Sequence, residues 1–147
     1  MCSEPSRRAE ARSESGFTLI ELLVVMVIVG VLAGIAVPTF LSQRAKAHDA
    51  STKSDVATVG REIATYYVDG GAGLTLDLEI EPGRAVLSDS SGYSTSVNIT
   101  NGTALPVANG TRDLGSADAW CIALTDPKGA VEDFSYSATS GLGEGTC

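Results

Sequence analysis

The stretch Ser15–Gly34, SGFTLIELLVVMVIVGVLAG, decides how this chain is read. It has the composition of a membrane segment, yet Glu21 stands inside it. A carboxylate toward the centre of a bilayer costs about 2.5–3.5 kcal/mol on insertion scales. From Leu22 to Gln43 there follow 22 residues without a charge, enough to cross a bilayer as a helix. Two ordinary accounts of Glu21 exist. A residue one turn into the helix can snorkel to water, and an acid near a helix N-terminus gains about 0.3–1 kcal/mol from the macrodipole. A third requires a cut between Gly16 and Phe17. The new ammonium on Phe17 would then lie four residues from Glu21 in a low-dielectric zone. The pair would close within one helix, or between helices staggered by about one turn, where it would fix their register.

Working outward, residues 1–16 (MCSEPSRRAEARSESG) contain no apolar run, and three Arg balance three Glu. That is the composition of a disordered tail. The apolar block is longer than the 7–15 residues of a secretory signal. Ala45–Ala47 (AKA) matches a signal-peptidase pattern, but it lies beyond Pro38 among charged residues.

On the other side the helical pattern continues to Asp69, a rod of about 80 Å from Phe17 at 1.5 Å per residue. Gly30 and Gly34 offer a small-residue face, and Pro38 should bend the helix. Beyond it Leu41, Ala45, Thr52, Val56, Val59, Ile63 and Tyr67 form an apolar stripe. Arg44, Lys46, Lys53, Asp55, Arg61 and Glu62 occupy other faces. From Gly70 onward the chain predicts a small antiparallel sheet. Leu74–Ile80 alternates as a strand before a Pro82–Gly83 turn. Asn101–Gly102 predicts a hairpin between STSVNIT and TALPV, with Pro106 marking an edge. AWCIALT and DFSYSAT form another pair across DPKG. The tail SGLGEGTC reads as loop.

The 147 residues carry a net charge of −8, which argues against nucleic acid or an anionic lipid face as a partner. Of three cysteines, Cys2 lies in the leader. Cys121 and Cys147 would close a 27-residue loop, a restraint of about 3.5 kcal/mol in an oxidising compartment. Two buried thiols in a reducing compartment is the alternative. Enzymatic signals are absent. His48, the only histidine, has no Cys or second His near it in sequence and reads as a solvated helix residue. No metal site or cofactor is expected. Asp126, Glu132 and Asp133 could hold calcium, but they match no calcium-loop spacing and read as turn carboxylates. Asn98, Asn101 and Asn109 begin N-x-T sequons, of which the last two are explained by N-G turns. Tyr66 and Tyr67 read as core and core edge, and Trp120 as packing on a disulfide at Cys121.

GFTLIELLVVMVIVGVLAGIAVPTF resembles the N-terminus of type IV pilins, a match over Ser15 to about Leu41. The resemblance implies an α+β fold, a long N-terminal helix on a small C-terminal antiparallel sheet with a disulfide loop. It implies a leader (1–16) cut after Gly16 by prepilin peptidase and a Phe17 that is N-methylated. A membrane or filament-core helix (17–41), its amphipathic continuation (42–69) and a sheet domain (70–147) follow. Glu21 would pair with the N-terminus of an adjacent copy, Pro38 would be the kink proline, and Cys121 and Cys147 would bracket the C-terminal loop. Implied partners are other copies of the chain, the peptidase/methyltransferase, an assembly platform, minor pilins and the inner membrane, before export to a surface filament for adhesion, motility or DNA uptake. The leader is longer than the family's usual short basic one and has no net positive charge, so loop charges do not orient the helix. Rival readings are a pseudopilin of a secretion or competence machine, an anchored binding domain that never polymerises, and a secreted enzyme.

Overall fold

The computed structural model describes residues 16–69, 76–106 and 112–147, without the side chains of 112 and 113. The leader before Gly16, the Gly70–Gly71 stretch and Asn109 lie outside the described residues. The chain divides into two compact units, one ending at Pro38 and one from Thr39 to Cys147. One helix, α1 (Leu19–Val68), is assigned without interruption, with Pro38 inside it. In the first unit its apolar side chains are all exposed, and a Cβ on Gly30 or Gly34 would meet nothing within 4 Å.

In the second unit, α1 buries Thr52, Asp55, Val56, Val59, Gly60, Ile63 and Tyr66. This corrects the expected stripe in two ways: Leu41 is exposed, and Asp55 is buried instead of facing water. Tyr66 is buried in the core and Tyr67 is half-buried at its edge, as expected. Two small sheets complete the unit, where the sequence suggested one. The first comprises β1 (Leu76–Glu81), β2 (Arg84–Asp89) and β3 (Ser94–Asn98), in that order and antiparallel. Pro82 and Gly83 make the β1–β2 turn, and Gly83 takes φ +78°, which favours glycine. The second contains β4 (Arg112–Asp113), β5 (Cys121–Thr125), β6 (Asp133–Ser137) and β7 (Gly141–Glu144), again antiparallel and in chain order.

The β5–β6 pair joins the two strands read around DPKG. Two other expectations fail. Asn101–Gly102 does not fold TALPV back on β3. Instead Ala104 bridges to Thr125, and β3 pairs with β2, a strand the sequence reading left unassigned. The glycine-rich tail is not loop throughout, because β6 offers an unpaired edge that Gly141–Glu144 completes. Both sheets press apolar residues on α1, among them Leu76, Leu78, Ala85, Leu87, Ile122, Leu124 and Phe134, all nearly inaccessible. Cys121 and Cys147 are joined as a disulfide with Cα atoms 6.0 Å apart. Trp120 is buried and stacks on Tyr136, with centroids 5.8 Å apart and planes 9° apart.

The helix approaches the second sheet so closely that Gly60 is obligatory. A Cβ there would lie 2.5 Å from Cδ1 and 2.6 Å from Cγ of Tyr136. Gly60→Ala gains helix propensity but must push the tyrosine off Trp120. The net expectation is a loss of about 1–2 kcal/mol, read as a lower unfolding temperature. An unchanged or raised transition would show that the ring moves freely.

At the far end of α1, Tyr66 donates to Asp89 Oδ2 at 2.7 Å, while Asp89 Oδ1 accepts from the N–H and hydroxyl of Ser91, both at 2.7 Å, and from the Tyr93 N–H at 3.1 Å. The Ser91 hydroxyl above all, then the Tyr66 hydroxyl, hold Asp89 down at about 2 from an ordinary 3.8. Burial, then the bond to Asp89, pushes Tyr66 up to about 12 from 10.0. A lowered acid stabilises the fold above its unfolded pKa, so this contribution fades as pH falls from about 4 to about 2. A raised phenol keeps its proton in the fold, so stability declines between pH 10 and about 12. Denaturant midpoints against pH should show both slopes. Tyr66→Phe should remove its share of the alkaline one and flatten the acid one.

Candidate functional site

Phe17 and Thr18 precede the first turn of α1, and Phe17 is 90% exposed. Gly16 is exposed beside it. Thr18 is the N-cap. Its hydroxyl oxygen accepts the Glu21 N–H at 3.3 Å, and Glu21 Oε2 accepts both the Thr18 N–H at 2.9 Å and the Thr18 hydroxyl at 2.8 Å. This is a capping box, two otherwise orphaned helix donors satisfied reciprocally. The sequence carried its signal, T-x-x-E ahead of an apolar run, in Thr18–Glu21, but the reading above did not use it. The cap gives Glu21 a local reason to sit here without exhausting it. One carboxylate oxygen takes both Thr18 bonds, and among the described residues Glu21 makes no ion pair. The other oxygen, Oε1, takes no part in the cap.

Behind this end, α1 is long and apolar enough to cross a membrane. A single carboxylate therefore heads an exposed run of Leu, Val, Ile and Met side chains. Such a surface needs burial, in lipid or against other helices.

The other candidates fall elsewhere. His48 is half-buried rather than freely solvated. Its Nδ1 lies 2.8 Å from Asp126 Oδ2, and Asp126 is buried. Asp126 Oδ1 accepts the Lys128 N–H at 3.0 Å, and the adjacent Asp49 Oδ1 accepts the N–H groups of Ala130 at 2.8 Å and Val131 at 3.2 Å. The DPKG loop is thus clamped to the helix by His48 and Asp49, a pairing across about 80 residues that no local pattern announces. Asp126 is engaged in that clamp, Glu132 takes φ +66°, and no group of three or more His, Cys, Asp or Glu converges among the described residues. Asn98 and Asn101 are exposed at the end of β3 and in the following turn.

A family model described as the prokaryotic N-terminal methylation motif matches residues 11–37. The chain is similar to the type II secretion system core protein G of Pseudomonas aeruginosa, 38% identical over 63 residues, 43% of this chain and 44% of that protein. The protein of the same name in Vibrio cholerae is 34% identical over 70 residues, 48% of each chain. The type IV major fimbrial protein FimA of Dichelobacter nodosus is 37% identical over 60 residues, 41% of this chain and 38% of FimA. The matched stretch spans less than half the length of each relative, and no solved structure matches the chain. With its long N-terminal helix, two small antiparallel sheets and C-terminal disulfide, the chain has a type IV pilin-like α+β fold, and its N-terminus carries the methylation motif. Its named relatives include both secretion-system and fimbrial proteins.

Proposed function

We propose that this chain is a structural subunit of a pilin-type helical filament and catalyses nothing itself. It enters the inner membrane as a precursor with the leader in the cytoplasm and the sheet unit outside. A prepilin peptidase cuts after Gly16 and the new Phe17 amine is methylated. The subunit then leaves the bilayer sideways, exchanging lipid for neighbouring helices around its apolar run. Glu21 of each copy pairs with the Phe17 amine of the next, which sets the axial step. The observation that carries this is the methylation motif over residues 11–37, with Glu21 capping the helix through one oxygen and leaving the other out of the cap.

Mass spectrometry of the chain recovered from cells tests the reading. A methylated Phe17 at the N-terminus is the expected result, and a persisting leader would overturn it. A surface pilus for adhesion, motility or DNA uptake and a short pseudopilus of a secretion machine share this chemistry. The second reading is favoured by the core protein G relatives. Imaging of sheared cell-surface fractions separates them, since only a pilus gives long free filaments.

A further inference from the structure

A pocket of about 300 Å³ opens beside α1 just past its uncharged run, lined by Leu41, Arg44, Ala45, His48 and Lys128. Three of the five lining residues are basic types, in a chain of net charge −8. Arg44 and Lys128 are exposed and make no ion pair among the described residues. The acids nearby are already engaged. Asp126 takes His48 Nδ1 and the Lys128 N–H, and Asp49 takes two N–H groups of the loop. Those bonds fix the loop backbone on the helix, so that Lys128 and Arg44 line the same pocket. Gly129 makes the clamp possible, because a Cβ there would collide with Asp49 Oδ1.

Two unanswered cations around one concavity define an anion site. Its position narrows the anion. Leu41 and Ala45 form an apolar wall, and the last residue of the uncharged run is Gln43. Arg44 directly follows that run in the chain, so a run held in a bilayer brings it to headgroup depth, where phosphodiesters concentrate. We propose that Arg44 and Lys128 hold the phosphate of an anionic lipid headgroup while the subunit is stored in the membrane, and release it on entry to the filament. This rests on the filament-subunit reading for the storage step alone. It also refines the expectation from net charge, since a local basic pocket outweighs the acidic total at contact range.

Native mass spectrometry of the full chain in detergent, titrated with phosphatidylglycerol, phosphatidylcholine or inorganic phosphate, tests it. Phosphatidylglycerol should bind at least about tenfold more tightly than phosphatidylcholine. Arg44→Gln with Lys128→Gln should weaken it about thirtyfold. Lys46→Gln, exposed two residues away but outside the pocket, should change little. An unchanged unfolding temperature shows that the paired variant is folded. Equal binding of both lipids, or indifference to the paired variant, overturns the proposal. Inorganic phosphate that binds as tightly as the lipid would make this a free-anion site. Filament loss with lipid affinity intact would assign the pocket to a neighbouring subunit's carboxylate. N-terminal sequencing is independent of all these, so a failed filament reading would not be confused with a failed pocket.

Discussion

Glu21→Gln should leave the precursor inserted, cut and helical, yet reduce filament assembly more than about a hundredfold. The cap and the proposed pairing can be separated. Oε2 alone accepts both bonds from Thr18, and the amide oxygen of Gln can take its place. The capping box therefore survives, and what disappears is the negative charge beside the adjacent amine. An ammonium buried without its counter-ion costs about 3–5 kcal/mol, which is about two to three and a half orders of magnitude in the affinity of each joining step. Thr18→Ala is the complementary variant. It removes the cap and keeps the charge, so it should cost about 1 kcal/mol at the helix start and lower the filament yield only modestly. Immunoblots of sheared filaments, set against N-terminal masses from whole cells, read assembly and processing separately. If the Gln variant assembles as well as the natural chain, pairing between Glu21 and the amine is not what orders the subunits.

The contrast between the two ends of the molecule shows what a sequence discloses. Everything at the N-terminus is local. An uncharged run, one acid and a T-x-x-E start lie within 30 residues, and no distant partner is needed to interpret them. The sheets are otherwise. Asn101–Gly102 has the composition of a two-residue hairpin turn, and Gly102 does take φ +112°, but the strand partner of Ala104 is Thr125. Tertiary pairing overrode a correct local preference. Gly141–Glu144 is too glycine-rich to read as a strand, and it becomes one because β6 supplies the ladder and Gly143 fits against Ser135. His48 likewise looked solvated because the acid that engages it stands 78 positions away.

Asp55 carries the same lesson with a larger consequence. In sequence it is one of several charges on a helix, and it looks solvated. In the fold it is 7% exposed, and Oδ2 accepts both the Thr100 N–H at 2.9 Å and the buried Thr103 hydroxyl at 2.8 Å. The turn around Asn101–Gly102 points these donors inward, and the helix must answer with an acceptor. Asp55→Ala leaves Thr103 unsatisfied and deprives Thr100 of its partner. Hydrogen bonds to a charged group contribute about 1.5–3 kcal/mol each, so the expected loss is about 3–4 kcal/mol. For a unit of this size the unfolding temperature would fall by roughly 12–25 °C. Asp55→Asn retains an acceptor oxygen and should cost only about 1 kcal/mol. In the Asp55→Ala background, Thr103→Val removes the orphaned hydroxyl, so the pair should be less destabilising than the two changes added together. Thermal unfolding of the four chains by circular dichroism measures each leg of this cycle. Additive losses, or an Asp55→Ala chain as stable as the parent, would mean that water satisfies the turn and that the carboxylate does not tie it to the helix.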